Sequence, residues 1–312
     1  PEPNFGSPTI GMWSTMSHIV IPFQNHVHLS IDWGDGTLIG YNSNEEVRSP
    51  PLIPGNHTVK IYPHKGTSFS FYYYKTTEYY RKQLIEIQQT GLMTINSQSF
   101  YQCEELTTFS TTEFPDVISG YETFYGCTKL ANIDTDNWDI SVVTTLKGMF
   151  DGCKQLNSLS LNMWDTNNVL YLDNMFNDCV ALDINLSFSI KNVKSMKKIF
   201  EKSGISHTNF DKFLIYCNQT QKQKNVYLTN SPSYPYSNDA INAYYTLVSD
   251  GWTITPGPPT NNTWFKGTFK ADSTGTITLA LNFPNNPIII NFGSGLKNYA
   301  RQSDEIIIIN GY

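Results

Sequence analysis

Along residues 88–200 the apolar positions return in one register: an aromatic, two residues, a cysteine, two residues, a leucine. Phe100, Cys103 and Leu106 set it, and Phe124, Phe150 and Phe176 repeat it with Cys127, Cys153 and Cys179 in the cysteine place. A degenerate copy at Phe200 carries Ser203 there, and the aromatics stand 24, 26, 26 and 24 residues apart. Self-similarity at such a period predicts a solenoid whose coils stack into one core. Within a coil, Leu146, Met149, Phe150, Cys153 and Leu156 fall at three- and four-residue spacing, which predicts a short helix. Leu159-Ser160-Leu161 then alternates as a half-buried strand does. The expectation is therefore mixed α/β: a leucine-rich-repeat solenoid with one helix and one strand per coil.

The flanks follow other periods. Strand patterns at 12–23 and 27–33 lead to Asp35-Gly36, a tight-turn signal, and a further strand is expected at 57–62. An immunoglobulin-like β-sandwich is expected over 1–80 and the solenoid over 81–255. Helices at 209–216 and 238–249, the second capped by Ser237 or Asn238 and ended before Gly251, with a strand at 252–255, read as the cover of the solenoid's open end. Residues 256–262, rich in Pro and Asn, form a linker. The Ile-rich remainder, 263–312, is expected to be a small β module, marginal alone and suited to burial in an interface.

Two stretches carry a family resemblance. The unit Trp138-Asp139-Ile140-Ser141-Val142-Val143, continued by Gly148-Met149-Phe150-Asp151-Gly152-Cys153 and echoed at Trp164-Asp165-Thr166-Asn167-Asn168-Val169, resembles the repeat of the BspA-like leucine-rich-repeat surface proteins. Asp32-Trp33-Gly34-Asp35-Gly36-Thr37 and the later Gly55, Thr58, Val59 and Ile61 resemble a PKD-type sandwich, a spacer in surface proteins. The resemblance implies a secreted or surface-displayed adhesion protein of bacteria or protists, with relatives in phages.

Composition narrows the function classes. Charged residues are only 15% and the formal net charge is −6, which argues against nucleic acid, whose phosphates need clustered Lys and Arg. Apolar runs fall short of the ~20 residues of a membrane span. No signal peptide stands at the start, and Pro1 reads as a processed or trimmed end. Serine-hydrolase, zinc-protease, phosphate-loop and dinucleotide motifs are missing, so no enzyme, catalytic residue or cofactor is expected.

The four repeat cysteines read as a buried, reduced ladder of small hydrophobes, since a regular stack seldom offers disulfide geometry. His26 and His28 read as ordinary surface histidines and Asp32, Asp35, Asp139 and Asp165 as turn makers, so no metal is expected. The tyrosine-rich stretch at 69–81 is a sandwich edge or joint, or else a contact surface through Tyr72 and Tyr74. Asn157, Ser160, Asn162, Asn185 and Ser187 are polar where packing asks nothing of them, which makes them candidate ligand contacts. The expected partner is a protein or glycan on a host or neighbouring surface. The alternative is a structural component of a virion or surface fibre, forming a homo-oligomer or larger assembly through the C-terminal module.

Overall fold

The computed structural model describes residues 5–44, 46–64, 67–111, 115–161, 163–231, 235 and 237–257, together with the backbone of four strands beyond them. The N-terminal strands are β1 (Thr9–Thr15), β2 (Val20–Pro22), β3 (Val27–Asp32), β4 (Leu38–Ser43), β5 (Glu46–Arg48) and β6 (Gly55–Pro63). They are followed by β7 (Leu84–Gln89) and two-residue strands β8 (Thr108–Phe109) and β9 (Asn132–Ile133). One seven-stranded sheet runs β4-β3-β6-β1-β7-β8-β9, antiparallel as far as β7 and parallel from there on, while β2 and β5 form a separate pair. Asp32 makes the corner between β3 and β4: its Oδ1 accepts the N–H groups of Gly34 and Gly36, both at 2.9 Å and both at positive φ.

This architecture overturns the expected helix-plus-strand solenoid with a separate sandwich before it. Among the described residues strands far outnumber helices, and β1, β3, β4 and β6 share their sheet with β7, β8 and β9. The segments expected to be helical, such as 147–152 and 173–178, are runs of turns. Their N–H groups explain why. Gln98, Phe100 and Gln102 donate to the carbonyls of Tyr121, Thr123 and Tyr125 in the next repeat, at 2.9, 2.8 and 2.6 Å. Gly148, Phe150 and Gly152 donate in the same way to Asp173, Met175 and Asn177. An α-helix spends these donors internally, on the carbonyl four residues back. Here every second one ties neighbouring repeats together.

The backbone is bent to this task by left-handed residues two places before and two after each stacking phenylalanine. Gln98 and Gln102, Glu122 and Gly126, Gly148 and Gly152, Asn174 and Asp178, and Lys198 and Lys202 all have positive φ. A left-handed residue at every fourth position forbids a continuous helix. The strand side of the repeat also shrinks, to β8, β9 and single parallel bridges such as Thr145 with Tyr171 and Tyr171 with Ser195.

The core follows the same register. Rings of Phe100, Phe124, Phe150, Phe176 and Phe200 stack face to face, with centroids 5.0, 5.7, 5.9 and 6.2 Å apart. Phe71 closes one end edge-on at 5.6 Å, and Phe213 the other at 5.5 Å. Phe213 lies on a helix, His207–Gln219, packed against a second, Asn238–Ser249. Their N-caps, Ser206 and Ser237, accept the N–H groups of Asn209 and Ala240, both at 3.3 Å. Strands β10 (Tyr227–Leu228) and β11 (Thr253–Ile254) pair in parallel beside them.

Beyond residue 257 the described backbone comprises β12 (Ile277–Ala280), β13 (Ile288–Asn291), β14 (Leu296–Tyr299) and β15 (Ile306–Ile309). β12 pairs with β15 and β13 with β14, both antiparallel. Most of the expected linker and much of the expected β module lie outside the described residues.

Candidate functional site

The cysteine ladder has a definite chemistry, and it is structural. All five cysteines are free and buried. The Sγ atoms of Cys127, Cys153 and Cys179 donate to the carbonyls of Phe100, Phe124 and Phe150, one repeat earlier, at 3.1, 3.2 and 3.0 Å. Burial drives their thiols, and that of Cys103, well above the usual thiol range, so they stay protonated and do not act as nucleophiles. Ser203 occupies the ladder's last place, where the side chain is only half-buried and a hydroxyl is easily solvated.

The tyrosine stretch divides by side. Tyr73 is fully buried and its hydroxyl accepts Trp13 Nε1 at 2.9 Å, while Tyr74 is exposed and Tyr72 half-buried. Tyr72 and Tyr74 lie 6.1 Å apart, Tyr74 meets Tyr101 edge-on at 5.0 Å, and Tyr101 stacks on Tyr125 at 4.9 Å. Tyr72 and Tyr74 thus begin a strip that the repeats extend. Sequence reasoning missed Tyr101 and Tyr125, although their signal was present: each directly follows a stacking phenylalanine and so points to the other side. Burial, then the neighbouring phenol and Glu122, raise the Tyr101 hydroxyl above its ordinary range, which keeps it a donor.

Four of the five scattered polar candidates meet elsewhere. Asn157, Ser160, Asn185 and Ser187 line one open groove of about 710 Å³, together with Ile133 to Asp136 of the β9 segment, Leu161 and Asp183. Asn162 lies outside the described residues. The groove exists because the parallel ladder ends at β9. Residues 157–161 form no bridge with it, and the two segments converge only further on, where Thr135 Oγ1 donates to the Ser160 carbonyl and Trp164 Nε1 donates to the Thr135 carbonyl. Residues 182–188 alternate buried and exposed as a strand does, turning Asp183, Asn185 and Ser187 outward, yet they too lie outside any strand.

Asp134, Asp136 and Asp183 give the lining its charge, and it contains no Lys, Arg or His. Burial works against the Asp183 carboxylate, but the Ser206 N–H at 2.8 Å and the Asn209 amide at 2.9 Å outweigh it and hold its pKa below the ordinary range. Among the described residues no three His, Cys, Asp or Glu side chains are grouped to hold a metal. His28 instead stacks on His64 at 3.8 Å. No described helix is long and apolar enough to cross a membrane.

Residues 94–229 match a family described as Mycoplasma protein of unknown function, DUF285. That stretch contains every repeat copy from Phe100 to Phe200. No curated protein and no solved structure matches the chain.

Proposed function

We propose that this chain is a non-enzymatic, surface-exposed adhesion or recognition protein that contacts a protein or glycan of a host or neighbouring surface. The observation that carries the reading is the convergence of Asn157, Ser160, Asn185 and Ser187 on one groove. These positions keep no place in the apolar register, so packing does not account for their being together. The resemblance of the repeats to BspA-like surface proteins supports the same reading and a location outside the cell or at its surface. The test is binding of the full chain to arrays of host glycans and surface proteins. Recognition by the groove requires that a hit weaken with Asn157→Ala and Asn185→Ala while the fold, read by circular dichroism, is unchanged. Hits indifferent to both would remove the groove from the function.

A second reading, an assembly component of a virion or surface fibre, is favoured by the C-terminal backbone. β12–β15 and β13–β14 are two-stranded sheets, and two strands alone are marginally stable in water. Among the described residues no further strand pairs with either sheet, and such edges suit docking against a second copy or a fibre partner. Crosslinking in the native particle that joined residues 277–309 to another chain would favour this reading over adhesion.

A further inference from the structure

The repeats carry a second outward face, built on the single parallel bridges that join Thr145 to Tyr171, Tyr171 to Ser195 and Ser195 to Tyr227, and carried on to Thr253 by β11. Residues paired in a parallel ladder point the same way. Leu146, Leu172, Met196 and Leu228 alternate with them and are buried, so Lys147, Asp173 and Lys197, one place further on, turn outward as well. Successive rungs therefore present Lys147, Tyr171, Lys197 and Tyr227: cation, aromatic, cation, aromatic. The tyrosines have the small Thr145, Ser195 and Thr253 as neighbours in their column, and both rings stand out, 42% and 45% exposed. The Lys197 ammonium lies 4.6 Å from the centre of the Tyr227 ring, which keeps the cation on the rung between the two tyrosines. Asp173 beside it is tied down, its Oδ1 accepting the Ser195 hydroxyl and, at 2.8 Å, the Lys197 N–H. The surrounding charge is one-sided. Residues 191–224 hold eight of the chain's 21 Lys and Arg but two of its 27 Asp and Glu. Lys191, Lys194, Lys197 and Lys224 are exposed and form no ion pair with a described residue. Gln223 donates to the Lys191 carbonyl at 2.9 Å, which sets Lys224 beside Lys191. On a chain of net charge −6, so local an excess of cations selects a negative partner.

We infer that this face binds a linear acidic polysaccharide in which uronic acids alternate with neutral sugars. Like rungs lie about 10 Å apart, twice the usual spacing of paired strands. An extended pyranose chain advances by a similar step per ring, so a carboxylate on every second sugar meets Lys147 and Lys197. The neutral rings between them lay their apolar C–H faces against Tyr171 and Tyr227. A nucleic acid carries a charge on every unit and gains nothing from the alternation. The inference rests on the recognition reading for the class of partner, and the face shares no residue with the groove.

The test measures binding of the full chain to a fluorescent hyaluronan octasaccharide, an alternating chain of a uronic acid and a neutral N-acetylated sugar, by anisotropy. The expected result is saturable binding that weakens with added salt and is lost when the carboxylates are reduced to alcohols. Tyr171→Ala and Tyr227→Ala should each lower affinity by about three- to tenfold with circular dichroism unchanged, while Tyr171→Phe, which keeps the ring, should bind as the parent does. The combined Lys147→Gln, Lys197→Gln variant should lose about fivefold or more. Affinity indifferent to the loss of both tyrosines, or matched by a single-stranded oligonucleotide or a polyglutamate of the same charge, would overturn the inference, since general attraction of anions would then account for the binding. If the octasaccharide fails to bind while a hit from the array weakens with Asn157→Ala, this inference falls and the groove reading stands. If neither the octasaccharide nor any array probe binds, both fall together.

Discussion

At the scale of single residues, the repeat is governed by backbone angles as much as by apolar contacts. Gly152 lies at φ +77°, and a Cβ added there would meet only the Gly126 backbone, its Cα at 3.4 Å and its N at 3.5 Å, which are ordinary contacts. Gly152→Ala therefore isolates the cost of left-handed backbone, and a loss of about 1–2 kcal/mol is expected in denaturant unfolding. Lys198 holds the equivalent angle, φ +58°, without glycine's freedom. Lys198→Gly should leave stability unchanged or raise it by up to about 1 kcal/mol, because relief of strain exceeds or offsets the added chain entropy. Asp151 carries a second testable quantity. Burial raises its carboxyl from 3.8 to about 6, against the Asn177 amide that donates to it at 2.8 Å. The folded state thus holds this proton more tightly than the unfolded chain, and the resulting stability is present below about pH 4 and lost as pH rises through about 6. Comparing denaturation midpoints of the parent and Asp151→Asn from pH 4 to pH 7 should show the parent losing ground with rising pH. A pH-independent difference between the two would refute the assignment.

At the scale of elements, the sequence was legible where side-chain register decides structure and misleading where backbone hydrogen bonding does. The Phe and Cys ladders, the Asp32 corner and the Ser237 cap fall on the residues that suggested them. The helix did not form, although Leu146, Met149, Phe150 and Cys153 are all buried as a helical stripe would require. Consecutive turns bury the same positions, so apolar spacing cannot separate the two. The distinguishing signal lay in Gly148 and Gly152, four apart, and in Asn174 and Asp178 at the same places one repeat later, since these residues tolerate left-handed angles and weaken helices. The groove was half legible: its polar walls stood out as residues packing does not explain. Its position depended on where the parallel ladder stops, which no local pattern announces. The aromatic stack itself should be the main source of cohesion between repeats. Phe150→Ala removes a fully buried ring between two others, and a loss of about 3–5 kcal/mol is expected. A loss below 1 kcal/mol in thermal or denaturant unfolding would mean that the backbone ladder alone holds the repeats.

At the scale of the whole molecule, the N-terminal strands and the repeats share both a sheet and a core. β1 pairs with β6 on one side and with β7 on the other, so the sheet crosses the expected boundary near residue 80 without a break. The core crosses it as well: Phe71 packs edge-on against Phe100, the first ring of the stack, and Trp13 bonds to Tyr73 beneath it. A boundary between independent domains lies where few contacts cross. Here, separating the two regions would strip β1 of a partner strand and expose the end of the phenylalanine stack. The region from 5 to 257 should therefore unfold as one cooperative unit. Two kinds of reporter sit on opposite sides of the boundary and make this measurable: the buried Trp13 in β1, and the thiols of Cys127, Cys153 and Cys179 in the repeats. A parent in which every other tryptophan is replaced by phenylalanine lets Trp13 fluorescence be followed alone, while a thiol reagent counts exposed cysteines across the same denaturant series. Coincident midpoints are expected, because thiols buried by the stack become reactive only when the sheet that closes it opens. A Trp13 transition completed while the thiols remain protected would show that the N-terminal strands unfold alone, and that the shared sheet does not couple the two regions.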